Sequence, residues 1–143
     1  MKDGTQPIRG AVLASVPLFS SLAPKELEAL AKAGKHQSYD AGETIVEEGR
    51  SGVGFFLILE GQVEVRQGGK AVAKLENDRF FGEMALIDGQ PRSGDVVALQ
   101  PTTCFVLSAW SFAALVKTEP KIALGMMKEL VRRLRDTNKT IAQ

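Results

Sequence analysis

The sequence is poor in the side chains that build disulfides, metal centres and hydrolytic sites. Its 143 residues include one cysteine, Cys104, and one histidine, His36. A single cysteine excludes an intramolecular disulfide and fits a reducing cytosol, so we expect a cytoplasmic protein. Cys104 lies in an apolar run and is interpreted as a packing residue. A single histidine leaves too few ligands for a zinc site and no Ser-His-Asp set. We therefore expect no metal and no catalytic activity.

Long apolar runs and an excess of charge are also missing. No apolar stretch reaches the roughly 18 residues of a membrane span, and residues 1–10 lack the apolar segment of a signal peptide. The 18 lysine and arginine residues against 17 aspartate and glutamate residues give a net charge of +1. This balance predicts no strong attraction to nucleic acid or to a membrane. The length predicts one domain, residues 1–143, with a single core.

The two ends of the chain have helical patterns. In residues 1–34, Pro24 suits a first helical position, and Leu27 and Leu30 share one face of a helix that closes near Gly34. In residues 109–143, Ser108 can cap a helix, and Pro120 breaks and restarts it. The last helix carries one apolar stripe: Ile122, Met126, Met127, Leu130, Leu134 and Ile141. That stripe suits either core packing or a dimer seam. Its basic residues favour a solvated face over nucleic-acid contact.

Between the helices, residues 35–108 have a period of two with frequent turn residues. The runs that suit strands are residues 44–46, 55–59, 63–66, 71–73, 95–99 and 102–107. Val63 and Val65 alternate with Glu64 and Arg66, so one face of the strand at residues 63–66 is expected to be exposed to solvent. Many short strands separated by glycine turns predict a mainly β fold, as a sandwich or a rolled-up barrel.

One helical interruption stands in this β region, at residues 80–95. Gly82 allows a sharp turn, and residues 83–87 suit one helical turn with free N-terminal amides, stopped by Asp88-Gly89. Arg92 offers a fork of donors to a phosphate and Ser93 adds a hydroxyl, whereas Glu83 can accept from a sugar hydroxyl. The combination predicts a sugar-phosphate site. The alternative is that Glu83 and Arg92 only form a surface salt bridge.

Residues 81–86 read FGEMAL and residues 91–93 read PRS. In identity, order and spacing this run resembles the phosphate-binding cassette of cyclic nucleotide-binding domains, including the catabolite activator branch. The resemblance implies an antiparallel double-stranded β-helix, or jelly-roll barrel, over residues 35–108. N-terminal helices, an inserted cassette helix and C-terminal lid helices would flank it.

The resemblance also implies a set of ligand contacts. The phosphate would lie on Arg92, Ser93 and the amides of Met84 and Ala85, after the turn at Gly82. Glu83 would receive the ribose 2′-hydroxyl. The remaining predicted contacts are all to the base. They are Val65 and Val72, both on inward-facing positions, and Thr137 and Asn138 of the last helix.

Two positions depart from the family pattern. Gly94 stands where Ala is usual, at an expected cost of about 0.5–1 kcal/mol. Asp95 stands where a neutral residue is common. It would add negative charge near the phosphate unless its side chain points outward or pairs with a lysine or arginine.

The implied function is a regulatory domain that senses a cyclic nucleotide, with cAMP expected ahead of cGMP, and couples binding to movement of the last helix. A homodimer through that helix and an unidentified effector are the implied partners, without direct nucleic-acid contact. The alternatives are a degenerate module for protein–protein contact and a dimerising sensor fragment of a transcription regulator. No helix-turn-helix pattern follows Thr140, so we expect a stand-alone or excised sensory domain.

Overall fold

The structure is a computed structural model that describes residues 8–50, 54–90 and 92–142, with side chains described as far as residue 139. Helix α1 (Gly10–Leu13) and a 3-10 helix (Pro17–Phe19) precede helix α2 (Pro24–Ala33). As predicted, α2 begins at Pro24, ends before Gly34 and buries Leu27 and Leu30. These helices cover one side of the β region.

Two four-stranded antiparallel sheets form the centre of the domain, which confirms the predicted mainly β fold with flanking helices. The first sheet has the order β1 (Lys35–Tyr39), β8 (Thr102–Leu107), β3 (Phe55–Glu60), β6 (Phe80–Phe81). The second has the order β2 (Thr44–Val46), β7 (Asp95–Ala98), β4 (Gln62–Gln67), β5 (Lys70–Glu76). Sequential strands alternate between the sheets in part, as in a rolled-up barrel.

Strand β3 is buried on both faces and separates two halves of the core. Phe55 and Leu57 pack towards the N-terminal and C-terminal helices, whereas Phe56 and Ile58 pack into the space between the sheets. Because both faces are covered, β3 is a continuous apolar run, in contrast to the alternating β4.

Two strands were absent from the sequence prediction. β1 has a mostly polar surface, with only His36 and Tyr39 partly buried, so its apolar alternation is weak. β6 comprises two residues, too few to show a period. Both are defined by pairing with partners distant in sequence, β8 and β3 respectively.

The C-terminal helices begin where the sequence predicts. Ser108 Oγ accepts a hydrogen bond from the Ser111 N–H (3.1 Å) at the start of helix α4 (Ala109–Thr118). Helix α5 (Pro120–Ala142) restarts at Pro120. It packs against the 3-10 helix and α4, where a Cβ at Gly125 would overlap the side chain of Leu22.

The apolar residues of α5 form two stripes instead of the single predicted one. Ile122 and Met126 are buried and join the core. The second stripe is exposed, with 48–61% of each side chain accessible, and comprises Leu124, Met127, Val131 and Leu134. The sequence pattern alone does not separate them, because both lie on the wide apolar arc of one helix.

Glu129 is buried in α5, although it was expected on a solvated face. Its side chain is 3% exposed and pairs with Arg132 (2.6 Å) and Arg133 (3.2 Å). The hydrogen bonds from these guanidinium groups lower the pKa of Glu129 to about 2, against the opposite effect of burial. Two bases of the helix are thus used to neutralise a buried acid.

Cys104 is fully buried between the sheets, and burial raises the pKa of its thiol to about 12. A protonated, inaccessible thiol confirms the interpretation of Cys104 as a packing residue. Among the described residues, no helix is long and apolar enough to cross a membrane.

Candidate functional site

The predicted cassette is a glycine turn followed by one short helix. Gly82 has a φ of +86°, which favours glycine, and helix α3 (Ala85–Asp88) follows after a turn at residues 83 and 84. Gly89, in the left-handed conformation, ends the helix and donates its N–H to the Ala85 carbonyl (3.0 Å). The helix therefore begins two residues later than predicted but ends at the predicted Asp88-Gly89 pair.

The main chain of Arg92 is fixed by the loop between β2 and β3. The Arg92 N–H donates to the Arg50 carbonyl (2.8 Å), and the Gly49 N–H donates to the Arg92 carbonyl (2.8 Å). This pair of bonds holds Arg92 in extended backbone between the cassette helix and β7.

The Arg92 side chain is turned inwards. Its Nη2 donates to the Gly54 carbonyl, and its Nε is buried without an acceptor in the part of the chain that the structure describes. A Cβ at Gly82 would lie 2.8 Å from Nη1 and overlap Nη2, so the guanidinium lies directly against the Gly82 backbone. Burial lowers the pKa of Arg92, and the negative charge of Glu83 raises it. The group remains a cation with an unused donor.

A cavity of about 150 Å³ lies beside this guanidinium, between the second sheet and β6. It combines one cation, one hydroxyl and an apolar wall. Its lining residues are Val46, Val65, Phe81, Arg92, Ser93, Gly94 and Val96. The cation and the hydroxyl suit a small anionic group, and the apolar wall suits a less polar group attached to it.

Of the predicted site residues, the structure brings Val65, Arg92 and Ser93 together around the cavity. Gly82 adjoins it through its contact with Arg92. Glu83 is partly buried and near enough for its charge to act on Arg92. No direct ion pair between Glu83 and Arg92 occurs among the residues described, so the simple salt-bridge alternative does not account for Arg92. Met84, 62% exposed, and Ala85 stand at the start of α3.

The prediction that Val72 faces inwards beside Val65 is wrong. Val65 pairs with Ala73 and Arg66 pairs with Ala71, so Val72 is the extra residue of a β-bulge. Ala73, as the cross-strand partner, shares the face of Val65. Val72 is 53% exposed and does not line the cavity.

Thr137 and Asn138 do not line the cavity in this conformation either. Thr137 is exposed and its Oγ1 donates to the Arg133 carbonyl (3.0 Å) within α5. Asn138 is exposed on an open depression of the same helix with Arg135 and Lys139. Their contact with a base therefore stays a prediction.

Gly94 is required by its surroundings, which corrects the expected penalty relative to alanine. It is buried, and a Cβ would overlap the Arg66 carbonyl and lie 3.0 Å from Gln67 Cγ. Asp95 does not stand free beside the phosphate site. Its Oδ1 accepts a hydrogen bond from the Glu48 N–H (2.6 Å).

The sequence prediction missed three apolar lining residues, Val46, Phe81 and Val96. Phe81 forms part of the cavity wall and stacks on Phe56, with ring centroids 4.8 Å apart and planes 6° apart. Phe81 was visible as the neighbour of Gly82 in the motif. Val46 and Val96 are adjacent only because β2 pairs with β7, and short strands give no such signal alone.

The matches to known proteins agree with this geometry. The family model described as the cyclic nucleotide-binding domain matches residues 36–119, which contain both sheets and the cassette. This chain belongs to the cyclic nucleotide-binding domain family. The residues that build the cavity, from Val46 to Val96, all lie inside the match.

Individual relatives place the domain among regulatory proteins. The chain is 38% identical over 94 residues to a cAMP-dependent protein kinase regulatory subunit of Mycosarcoma maydis, covering 63% of this chain and 18% of the relative. It is 32% identical over 127 residues to the Cyclic AMP receptor protein of Thermus thermophilus, covering 85% and 59%. Both matches thus span less than two thirds of the relative's length.

A solved structure shows the same fold over nearly the whole domain. The N-terminal domain of a transcriptional regulator from Streptomyces coelicolor superposes with a TM-score of 0.80 at 26% identity, covering 90% of this chain and 93% of that one. The chain is therefore a cyclic nucleotide-binding regulatory domain with the jelly-roll fold of its family.

Proposed function

We propose that this domain binds cAMP with its cyclic phosphodiester against Arg92. The observation that supports this most strongly is the buried Nε of Arg92, which has no acceptor among the described residues and belongs to a side chain that lines the cavity. A phosphate oxygen supplies the missing acceptor, and its charge compensates a guanidinium that burial has already desolvated. Ser93 adds a hydroxyl donor, and the amides of Met84 and Ala85 point from the start of α3 without intrahelical acceptors.

Glu83 receives the ribose in this proposal. A carboxylate opposes the binding of a phosphate by itself, yet it accepts hydrogen bonds well from a 2′-hydroxyl. Its charge raises the pKa of Arg92, which supports a place for the two groups at adjacent parts of one ligand. A mononucleotide with a free 2′-hydroxyl for Glu83 and a singly charged phosphate for Arg92 matches both side chains.

The base lies outside the present cavity. A volume of about 150 Å³ is smaller than the roughly 300–1,000 Å³ of typical ligand pockets. The phosphate and ribose fill it, and the base extends past Val65 towards a position that α5 can cover with Thr137 and Asn138. We propose adenine as this base, since two relatives are named for cAMP.

The cassette is connected to α5 through an apolar groove. A space of about 240 Å³ is lined by one residue of α3, two of α4 and four of α5: Ile87, Phe112, Val116, Ala123, Met126, Met127 and Leu130. A ligand that draws α3 towards the phosphate changes the shape of this groove. It shifts α5 to the extent that it binds the closed arrangement more tightly than the open one.

Addition of cAMP tests this function. At a hundredfold excess over Kd, binding is expected to stabilise the domain by about 2.7 kcal/mol and to raise Tm by about 5–10 °C. cGMP is expected to give a smaller rise at equal concentration. Amide exchange in α5 is expected to slow in the complex. An unchanged Tm with both nucleotides contradicts the proposed function, and a raised Tm with unchanged exchange in α5 contradicts the coupling.

We also propose a homodimer through the exposed stripe of α5. Leu124, Met127, Val131 and Leu134 are spaced by three, four and three residues, which is the a/d pattern of a two-helix seam. Substitution of Leu134 by Lys is expected to convert a dimer to a monomer in sedimentation velocity, because it places a charge in the seam. Arg135→Ala, on the adjacent polar face, is the control. A wild-type monomer at high protein concentration contradicts this proposal.

A further inference from the structure

Asp95 lies three positions after Arg92 and two after Ser93, close in sequence to the proposed phosphate site. It begins β7, is partly buried and accepts a hydrogen bond from the Glu48 N–H at 2.6 Å. A carboxylate in this place has two possible effects on an anionic ligand. It repels the phosphate by its charge, or it improves binding by fixing nearby structure.

The bond from Glu48 connects Asp95 to the main chain of Arg92. Glu48 precedes Gly49 and Arg50, whose N–H and carbonyl groups bracket Arg92 with two hydrogen bonds of 2.8 Å. Asp95, Glu48, Gly49, Arg50 and Arg92 therefore form a closed ring of contacts.

The segment at residues 48–50 has little else to hold it. All three residues are exposed, and Gly49 has a φ of +87°. The Arg50 side chain pairs with Glu47 of the same loop, and the Glu48 side chain accepts a long hydrogen bond from the Gly68 N–H (3.4 Å). Without the bond to Asp95, the segment at residues 48–50 is held mainly by its two backbone hydrogen bonds to Arg92.

We propose that Asp95 is a positioning residue for the ligand, which fixes the loop that holds Arg92 and so increases affinity for the phosphate despite its own negative charge. The inference rests on the proposed cAMP binding. The two effects have opposite signs: removal of a repelling charge tightens binding, whereas removal of a support weakens it. A measured affinity therefore decides between them.

Calorimetric titration of the full chain with cAMP is the test, using Asp95→Ala and Asp95→Asn. We expect Asp95→Ala to bind about tenfold more weakly, because a bond to a charged acceptor is lost. Asp95→Asn keeps an oxygen acceptor, and its affinity is expected within about threefold of wild type. Glu26→Ala is the matched control, since Glu26 also accepts from a backbone N–H (Ala23, 2.9 Å) and is also partly buried, but lies in α2.

Amide exchange at Gly49 gives a readout that does not depend on the ligand. Its N–H, bound to the Arg92 carbonyl, is expected to exchange faster in Asp95→Ala than in wild type or Asp95→Asn. If Asp95→Ala does not fold, Asp95→Ser takes its place. Equal or tighter cAMP binding by the alanine variant overturns the inference, as does unchanged exchange at Gly49. Absence of cAMP binding by wild type contradicts the proposed function instead, and the exchange measurement then still decides whether Asp95 fixes the loop.

Discussion

Replacement of Arg92 by Ala is expected to weaken cAMP binding at least about 100-fold while the domain stays folded. The guanidinium is the cation of the cavity, and removal of one partner from a buried, hydrogen-bonded charge pair costs about 2–5 kcal/mol. The free energy of unfolding of the ligand-free domain is expected to change by less than about 1 kcal/mol. The variant loses the hydrogen bond from Arg92 to the Gly54 carbonyl, but it also removes a buried N–H that has no acceptor among the described residues, so the two effects offset each other.

Two variants make this result specific. Arg9→Ala removes the same charge from an exposed residue before α1 that does not line the cavity, and it is expected to bind cAMP as wild type does. Arg92→Lys keeps the charge but loses the planar fork, so an intermediate affinity is expected. Calorimetric titration measures all three. Equal losses in Arg9→Ala and Arg92→Ala would show that only the net charge matters.

Gly82→Ala is expected to give the second largest effect, on both stability and affinity. At a φ of +86° any Cβ is strained, and here it also overlaps Arg92 Nη2 and the Gly54 carbonyl. We expect the free energy of unfolding to fall by about 1–3 kcal/mol. We expect affinity for cAMP to fall at least about tenfold, because the displaced guanidinium no longer faces the cavity.

Gly89→Ala is the matched control for this glycine. Gly89 also has a positive φ, +62°, but a Cβ there meets nothing within 4 Å. It is expected to lose about 1 kcal/mol of stability with cAMP affinity unchanged. Chemical denaturation and titration of the two variants separate backbone strain from the displacement of Arg92. Equal affinities of the two variants for cAMP would contradict the contact between Gly82 and Arg92 as the cause.

The sequence predicts the parts of this site that depend on local chemistry. The turn at Gly82, the end of α3 at Gly89 and the inward Arg92 with Ser93 all follow from residue types within one short segment. The positions of the strands other than β1 and β6 and the cap at Ser108 are local in the same sense. Each is determined mainly by backbone geometry and by hydrogen bonds between near neighbours.

The features that escaped prediction depend on contacts distant in sequence. Val72 changes face because of a bulge opposite Arg66, which alternation in β5 alone does not reveal. Gly94 needs its missing Cβ because the Arg66 carbonyl lies against it. Glu129 is buried where the helix packs, although its charge suggested solvent. In each case a tertiary neighbour overrides a local preference.

The Nε–H of Arg92, followed by ¹⁵N NMR during addition of cAMP, tests the central assignment most directly. This donor is buried and lacks an acceptor among the described residues in the absence of ligand. If the phosphodiester supplies the acceptor, its signal moves to a new position and saturates at one equivalent of cAMP. A signal that stays in place while the protein is saturated with cAMP would contradict the assignment of Arg92 to the phosphate.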